Sequence, residues 1–212
     1  LGITRDGRFA ALTNYREPAA PDTHASRPSR GALVTASLAA DDGRLPADLH
    51  AAREDYAGFN LLSGPIGGAN PRLHFVTNRG EDAANLAPGL YGLSNGAFDA
   101  PWPKARALKV ALAGLPTDDS VSAAQLGADL LATLVRPDQV ASDDALPDTG
   151  LGVDIERRLS ASFILGENYG TRCSTLLLVD RRGHAHMTEH TFAPDGRQMF
   201  VRRYLWRLPD RD

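Results

Sequence analysis

Alternating apolar and polar positions dominate both ends of the chain and predict antiparallel β-hairpins. Asp6-Gly7 and Asp195-Gly196 interrupt two of these alternating segments. Asp-Gly at such a place is a strong hairpin signal, because glycine tolerates the positive φ of a tight turn. The predicted strands are residues 1–5, 8–14, 58–62, 72–77, 90–94, 171–180, 184–192 and 198–207.

The middle of the chain has apolar residues at helical spacing. Ser29 is placed to cap a helix that runs through Leu33 and Leu38, and residues 46–56 continue the pattern. Longer helices are predicted at residues 103–115 and 121–135, the second ending before Pro137. Antiparallel hairpins around a helical middle favour the α+β class, and we predict two mostly antiparallel sheets flanked by helices in one domain spanning residues 1–212.

Composition narrows the function classes. The chain has 212 residues, 42% of them hydrophobic, and a net charge of −3 spread along its length, which disfavours a nucleic-acid partner. Its apolar runs are too short for a transmembrane segment. The single cysteine excludes an internal disulfide and favours a reducing compartment, so we predict a cytoplasmic protein, and the alanine- and arginine-rich composition suggests a bacterial source.

One short motif suggests a nucleophile. Residues 92–96, Gly-Leu-Ser-Asn-Gly, fit the G-x-S-x-G turn of α/β-hydrolases, which would make Ser94 the nucleophile, with Asp180 and His184 as partners. In such a turn a helix follows the serine at once. Here the next helix signal begins at Pro101. The context therefore argues against Ser94 as a nucleophile.

The histidines at positions 184, 186 and 190 share one face of a predicted strand, a spacing that suits a metal or haem iron contact. No cysteine or carboxylate accompanies them at ligand spacing, which favours solvent-facing histidines near a turn. We predict no metal and no cofactor.

The segment Leu93-Ser94-Asn95-Gly96-Ala97-Phe98-Asp99 resembles the stretch of the cholylglycine hydrolase and penicillin V acylase enzymes in which an asparagine donates to the oxyanion. The chain as a whole resembles a closer group, the NRDE or transport and Golgi organization 2 family. The segments that carry this resemblance are residues 7–16, 29–31, 56–62, 91–95, 101–104, 146–150 and 169–175, in family order. The resemblance implies an N-terminal-nucleophile (Ntn) hydrolase fold, four αββα layers with the two sheets inside.

The resemblance also implies site residues. Asn14 and Asn95 match the two oxyanion asparagines of the acylases, and Arg172 matches the arginine that they bring beside the nucleophile from a late strand. Plain alternatives are strand-terminal turn asparagines and a structural salt bridge of Arg172. Cys173 alternates to the opposite strand face and is predicted to be a small buried residue.

The family opens with Met-Cys and the Asn-Arg-Asp-Glu motif, whereas this sequence opens at Leu1. We therefore expect the nucleophile and its acidic neighbours in a leading segment before Leu1.

Two functions follow from the resemblance. One is an Ntn-type hydrolase or acyltransferase acting on a linear amide or acyl conjugate through an N-terminal cysteine that precedes Leu1. The other is a non-catalytic carrier in haem or lipid trafficking, whose fold holds a hydrophobic ligand. The expected partner in both is a small amide, acyl or hydrophobic molecule, and the oligomeric state is left open.

Overall fold

Antiparallel hairpins build both sheets of the protein. The computed structural model describes residues 1–18, 27–67, 71–83, 85–116 and 122–209. The strands in these residues are β1 (Gly2–Ile3), β2 (Arg8–Asn14), β3 (Phe59–Pro65), β4 (His74–Thr77), β5 (Cys173–Val179), β6 (His184–Phe192) and β7 (Gln198–Arg207). The α-helices are α1 (Gly31–Ala39), α2 (Ala47–Ala51), α3 (Pro103–Ala113), α4 (Ala123–Leu134) and α5 (Val153–Arg158), with 3₁₀ turns at Arg53–Asp55 and Asp143–Ala145. The prediction of a mixed α+β protein with two antiparallel sheets is confirmed.

The chain divides into two compact units, which we describe separately. The first unit is Leu1–Ala100 together with the residues from Arg207 onward, and the second unit is Pro101–Trp206. The second unit is therefore an insertion in the sequence of the first.

The first unit contains a four-stranded sheet in the order β1-β2-β3-β4. One face of this sheet is apolar: Ala10 of β2, Leu61 of β3 and Val76 of β4 share it and pack with Leu33 of helix α1 into a buried core. The β1–β2 hairpin turns at Gly7, whose φ of +86° explains the glycine there.

The segment that follows β7 packs against this unit. Leu208 is 2% exposed and packs against the backbone of Gly7 and Gly67. A Cβ atom added to Gly67 would lie 3.0 Å from Leu208 Cδ1. Glycine therefore permits the close approach of the chain end to the first hairpin.

The second unit contains a three-stranded sheet in the order β5-β6-β7. Strands β5 and β6 pair from Cys173–Thr191 to Val179–Ala185, and β7 follows β6 through a tight turn in which Ala193 N–H donates to the Arg197 carbonyl at 2.9 Å. Helix α4 packs against β5, where a Cβ added to Gly127 would lie 3.3 Å from Leu176 Cδ2. Ser122 caps this helix by accepting from Gln125 N–H at 3.2 Å.

Several elements differ from those predicted. Residues 90–94 form no strand, because the segment satisfies its main chain through turns. Residues 46–56 form α2 and a 3₁₀ turn instead of one helix. Helix α5 was not predicted, since six residues carry too little periodicity to stand out from the acidic stretch around it. Val121, the predicted start of α4, lies outside the described residues.

Cys173 also differs from its prediction. Its thiol is exposed, not buried. The strand was predicted to begin at residue 171, whereas β5 begins at Cys173, so this cysteine lies at the exposed end of the strand.

No helix within the described ranges combines the length and the apolar character that a membrane-crossing segment requires.

Candidate functional site

Three strands of the first sheet meet at one end with polar residues. Strand β2 ends at Asn14, β3 begins at Phe59 opposite it, and β4 ends at Thr77. Antiparallel pairing brings these termini together although they are far apart in sequence. The end of the sheet is therefore a natural place for side chains from separate segments to converge.

A polar row crosses the sheet at this end. Thr13, Asn60 and Thr77 are direct cross-strand neighbours and share the face opposite the apolar core. The Thr77 hydroxyl, which has one hydrogen to donate, lies 3.0 Å from Asn60 Oδ1 and 2.8 Å from the Phe59 carbonyl oxygen, while Asn60 Nδ2 lies 3.4 Å from Thr13 Oγ1. Asn60 is fully buried, so these hydrogen bonds replace the water that its amide loses on folding.

The row holds the segment that follows residue 93. Thr13 Oγ1 donates to the Ser94 carbonyl at 2.7 Å, and Asn60 Nδ2 donates to the Gly96 carbonyl at 2.8 Å. Two strands thus fix the main chain on both sides of Asn95. This row was not predicted from the sequence, although the lone asparagine in the apolar stretch Phe59-Asn60-Leu61-Leu62 indicates a buried polar contact.

Asn95 is anchored at two points. Its side-chain Nδ2 donates to the main-chain carbonyl of Asn14 at 2.9 Å, and its own carbonyl accepts from Arg16 N–H at 2.6 Å. An amide nitrogen carries two hydrogens, and the bond to Asn14 uses one of them. The other hydrogen remains for a further acceptor.

The structure brings Asn14 and Asn95 together, but through the main chain of Asn14. Asn14 pairs with Phe59 and by strand alternation lies on the face of Leu12 and the apolar core. The polar row that holds residues 94–96 lies on the other face. Of the two asparagines, Asn95 is therefore the one whose amide is fixed over this sheet end.

Residues 92–99 form a closed turn. Gly92 N–H donates to Asp99 Oδ1 at 2.8 Å, and Asp99 N–H returns to the Gly92 carbonyl at 3.0 Å. Asp99 has φ +52°, a left-handed conformation that Asp tolerates better than most residues. Phe98 packs on Phe75 of β4 with ring centroids 4.6 Å apart. Ser94 therefore sits in a turn that is pinned at both ends, with no strand before it and no helix until Pro103.

An ion pair lies beyond the same strand ends. Glu17 accepts from Arg79 Nε at 2.8 Å and from Nη2 at 2.9 Å, a two-point contact. The Arg79 guanidinium holds the pKa of Glu17 below its ordinary value, and burial opposes this only in part. Glu17 is thus a fixed negative charge at neutral pH.

Arg172 lies in the second unit, immediately before β5. Its Nη2 donates to the carbonyls of Gly166 and Glu167 at 3.3 and 3.2 Å. Its main-chain carbonyl accepts from Phe192 N–H at 2.9 Å. The partners of this exposed guanidinium are therefore turn carbonyls, and the salt bridge weighed for it is not among the ion pairs of the described residues.

The three histidines of β6 divide into two groups. His184 Nδ1 lies 2.9 Å from Asp180 Oδ2 at the β5–β6 turn, half-exposed as predicted. His186 and His190 instead line an open cavity of about 890 Å³ between helix α4 and the sheet of the second unit. Burial and the nearby Arg203 charge lower the pKa of His190. His186 and His190 are half-buried, and the cavity beside them, which the sequence did not predict, is open.

The sequence profile described as "Transport and Golgi organisation 2" matches residues 1–194. The chain belongs to the transport and Golgi organisation 2 family. Among curated members of this family, a human protein named "Transport and Golgi organization protein 2 homolog" is 35% identical over 199 residues, covering 90% of this chain and 71% of the human protein. A bovine protein of the same name is 33% identical over 198 residues with the same coverage, and a mouse homolog is 31% identical over 199 residues. The resemblance inferred from the motifs is thus confirmed at the level of the family.

Proposed function

We propose that this member of the transport and Golgi organisation 2 family forms the body of an Ntn-type acyl-transfer enzyme that cleaves a linear amide or acyl conjugate. The observation that carries the proposal is the anchoring of Asn95, whose main chain is held from both sides and whose amide is oriented by the Asn14 carbonyl. An oxyanion donor has to be fixed before the charge develops, because a donor that must reorganise during the reaction stabilises it less.

The proposed reaction has two stages. The thiolate of an N-terminal cysteine, which the resemblance places before Leu1, attacks the acyl carbonyl, and the α-amine takes the thiol proton and passes it to the leaving amine. Water then hydrolyses the resulting thioester. In both stages the carbonyl oxygen becomes negative, and the second N–H of Asn95 Nδ2 donates to it.

The proposal gives the other two residues different roles. Asn14 is a positioning residue through the carbonyl that accepts from Asn95, with its side chain as a second donor only if that side chain turns toward the same oxygen. For Arg172 the resemblance implies the role of a cation that pairs with an acidic group. Its two bonds to turn carbonyls occupy Nη2 and leave further guanidinium N–H groups for an acidic partner.

The fold and location belong to the same proposal. We place the two antiparallel sheets inside a four-layer αββα domain and the protein in the cytoplasm, which its single cysteine favours. A crystal structure of the complete protein tests the layer order.

The test uses the complete protein with its mature N-terminal residue identified by mass spectrometry. Fluorogenic N-acyl amides of increasing chain length serve as substrates. Asn95→Ala is expected to lower kcat roughly a hundred- to a thousandfold, the usual effect of removing one oxyanion donor. Asn14→Ala keeps the main-chain carbonyl that orients Asn95 and is expected to lower kcat much less than Asn95→Ala does. Turnover by Asn95→Ala at the wild-type rate, or none by the wild type on any amide, contradicts the proposal.

A carrier function is the second candidate, and one observation favours it. The cavity of the second unit is within the size range of small-ligand sites, and most of its lining is apolar. A haem or lipid carrier needs such a cavity but no nucleophile. Ligand binding by the complete protein without acyl transfer would favour this candidate over the first.

A further inference from the structure

The cavity of the second unit owes its existence to small residues on helix α4. Ala124, Ala128 and Ala132 recur every four residues on one flank of the helix, and Gly127 and Leu131 beside them are buried. Gly127 lets the helix touch Leu176 of β5. The alanines leave open space between the helix and the neighbouring strand β6.

Strand β6 supplies the polar part of the lining. His186, Thr188 and His190 alternate along β6, and all three line the cavity together with Leu176 and Leu178 of β5. The lowered pKa of His190 keeps its imidazole neutral at pH 7. At His190 and Thr188 the wall therefore offers hydrogen-bonding groups without a fixed charge.

A cation stands at the rim. Arg203 of β7 lines the cavity and is the charge that acts on His190. Its neighbour Arg202 lies 3.9 Å from Glu189, whereas Arg203 has no carboxylate within ion-pair distance among the described residues. A guanidinium beside an apolar cavity attracts an anionic group, since the low dielectric of the cavity walls strengthens the interaction.

The spacing of the histidines argues against a shared metal ion. His186 and His190 are four residues apart on a strand, about 13 Å along it. Nitrogen ligands of one ion lie about 2 Å from it, hence within roughly 4 Å of each other. The two imidazoles cannot both reach one ion without moving the strand.

We infer that this cavity binds an amphiphile with a long apolar chain and a single anionic head group, the chain lying against the alanines of α4 and the head group at Arg203. This inference deepens the carrier function proposed above. It is independent of acyl transfer at Asn95.

The test measures displacement of a dansylated fatty acid from the full chain by oleate and by oleyl alcohol, both below their aggregation limits. The neutral alcohol has the same chain without the charge. Oleate is expected to bind roughly tenfold tighter, the difference that one charge-assisted hydrogen bond supplies. Arg203→Gln should remove that difference, and Arg202→Gln, a neighbouring exposed arginine, should leave it intact.

A second pair of variants locates the apolar chain. Ala128→Phe places an aromatic ring in the cavity. Because position 128 is exposed on the helix, the ring does not overpack the protein interior. The variant should bind both oleate and oleyl alcohol roughly tenfold more weakly. Gln125→Phe places the same ring at an exposed position outside the cavity lining and should leave the affinity for both ligands unchanged. Circular dichroism confirms that each variant is folded.

The results that would overturn the anionic ligand class differ from those that would overturn the carrier function. Equal binding of oleate and oleyl alcohol that Ala128→Phe still weakens overturns the anionic ligand class but preserves a carrier. Absence of binding by both ligands, or binding insensitive to Ala128→Phe, overturns the inference and the carrier function at this cavity together. Neither outcome bears on the amide assay.

Discussion

Asn60 and Thr77 face each other across β3 and β4, and the Thr77 hydroxyl donates to the buried Asn60 amide oxygen at 3.0 Å. The same asparagine donates to the Gly96 carbonyl, so one buried amide links the sheet to the turn that presents Asn95. The proposed site depends on a residue that touches no substrate.

We expect Asn60→Ala to lower the free energy of unfolding by about 1 to 3 kcal/mol, because it leaves the Gly96 carbonyl without its buried amide donor, whereas the Thr77 hydroxyl keeps the Phe59 carbonyl as an acceptor. Amide hydrogen exchange in residues 92–99 should accelerate in parallel. Asn14→Ala, at an exposed strand end, is the matched control, and its free energy of unfolding should stay within about 0.5 kcal/mol of the wild-type value. An Asn60 variant as stable as the control would show that the polar row does not hold the turn.

His74 should make stability depend on pH. It is 7% exposed, and Asn85 N–H donates to its Nδ1 at 3.3 Å, so the neutral ring carries its proton on the buried Nε2. Burial, assisted by Arg44 and Arg72 and opposed by Asp42, lowers the pKa of His74 in the folded state.

The unfolded chain therefore binds the His74 proton more readily than the folded chain. The stability that the neutral ring contributes is complete above the unfolded pKa of about 6.5, and it is lost as the pH falls from there through the lowered folded pKa. His74→Asn keeps an acceptor near the Nδ1 position and cannot titrate. Urea unfolding between pH 8 and pH 5 should show a shallower loss of stability for this variant, and parallel curves for the two proteins would contradict the prediction.

Gly64 has no tolerance for a side chain. Its φ is +142°, and an added Cβ would overlap the main-chain carbonyl oxygen of Arg72. Gly152 has a φ of +88° but open space around its Cα. We expect Gly64→Ala to cost at least about 3 kcal/mol and Gly152→Ala about 1 to 2 kcal/mol from backbone strain alone. Thermal unfolding of the two variants separates the cost of steric overlap at Gly64 from the cost of backbone strain, which both positions share. Equal losses of stability would show that strand β3 shifts to accept the methyl group.

Ser94 should be dispensable. Its contribution to the turn is a main-chain carbonyl, which accepts from Thr13 and survives substitution. Ser94→Ala should therefore keep both the stability and the acyl-transfer rate of the complete protein. A fluorophosphonate probe that labels Ser94 stoichiometrically would reverse this expectation.

Local pattern predicted the elements whose ends are marked by turn residues. Strands β2, β6 and β7 begin and end where alternation and the Asp-Gly turns indicated. Residues 90–94 were wrongly predicted as a strand, because Tyr91 and Leu93 alternate with glycine and serine as in a strand. The Gly92–Asp99 bonds instead close a turn between residues seven positions apart.

The candidate site was predictable only in part. Asn14 and Asn95 could be named from a resemblance, but their contact through a main-chain carbonyl depends on Thr13 and Asn60, which strand pairing places beneath the turn. The cavity could not be predicted, because it is a space left by alanines on α4 opposite histidines more than fifty residues later in the chain.

Leu208 packs against a hairpin that is synthesised much earlier than Leu208 itself. The hairpin at Gly7 is synthesised about two hundred residues before the leucine that packs against it, and the second unit lies between them in the sequence. Until Leu208 has been synthesised, the apolar surface that it covers beside Gly7 stays exposed, so the first unit completes its packing only after the second unit has been made.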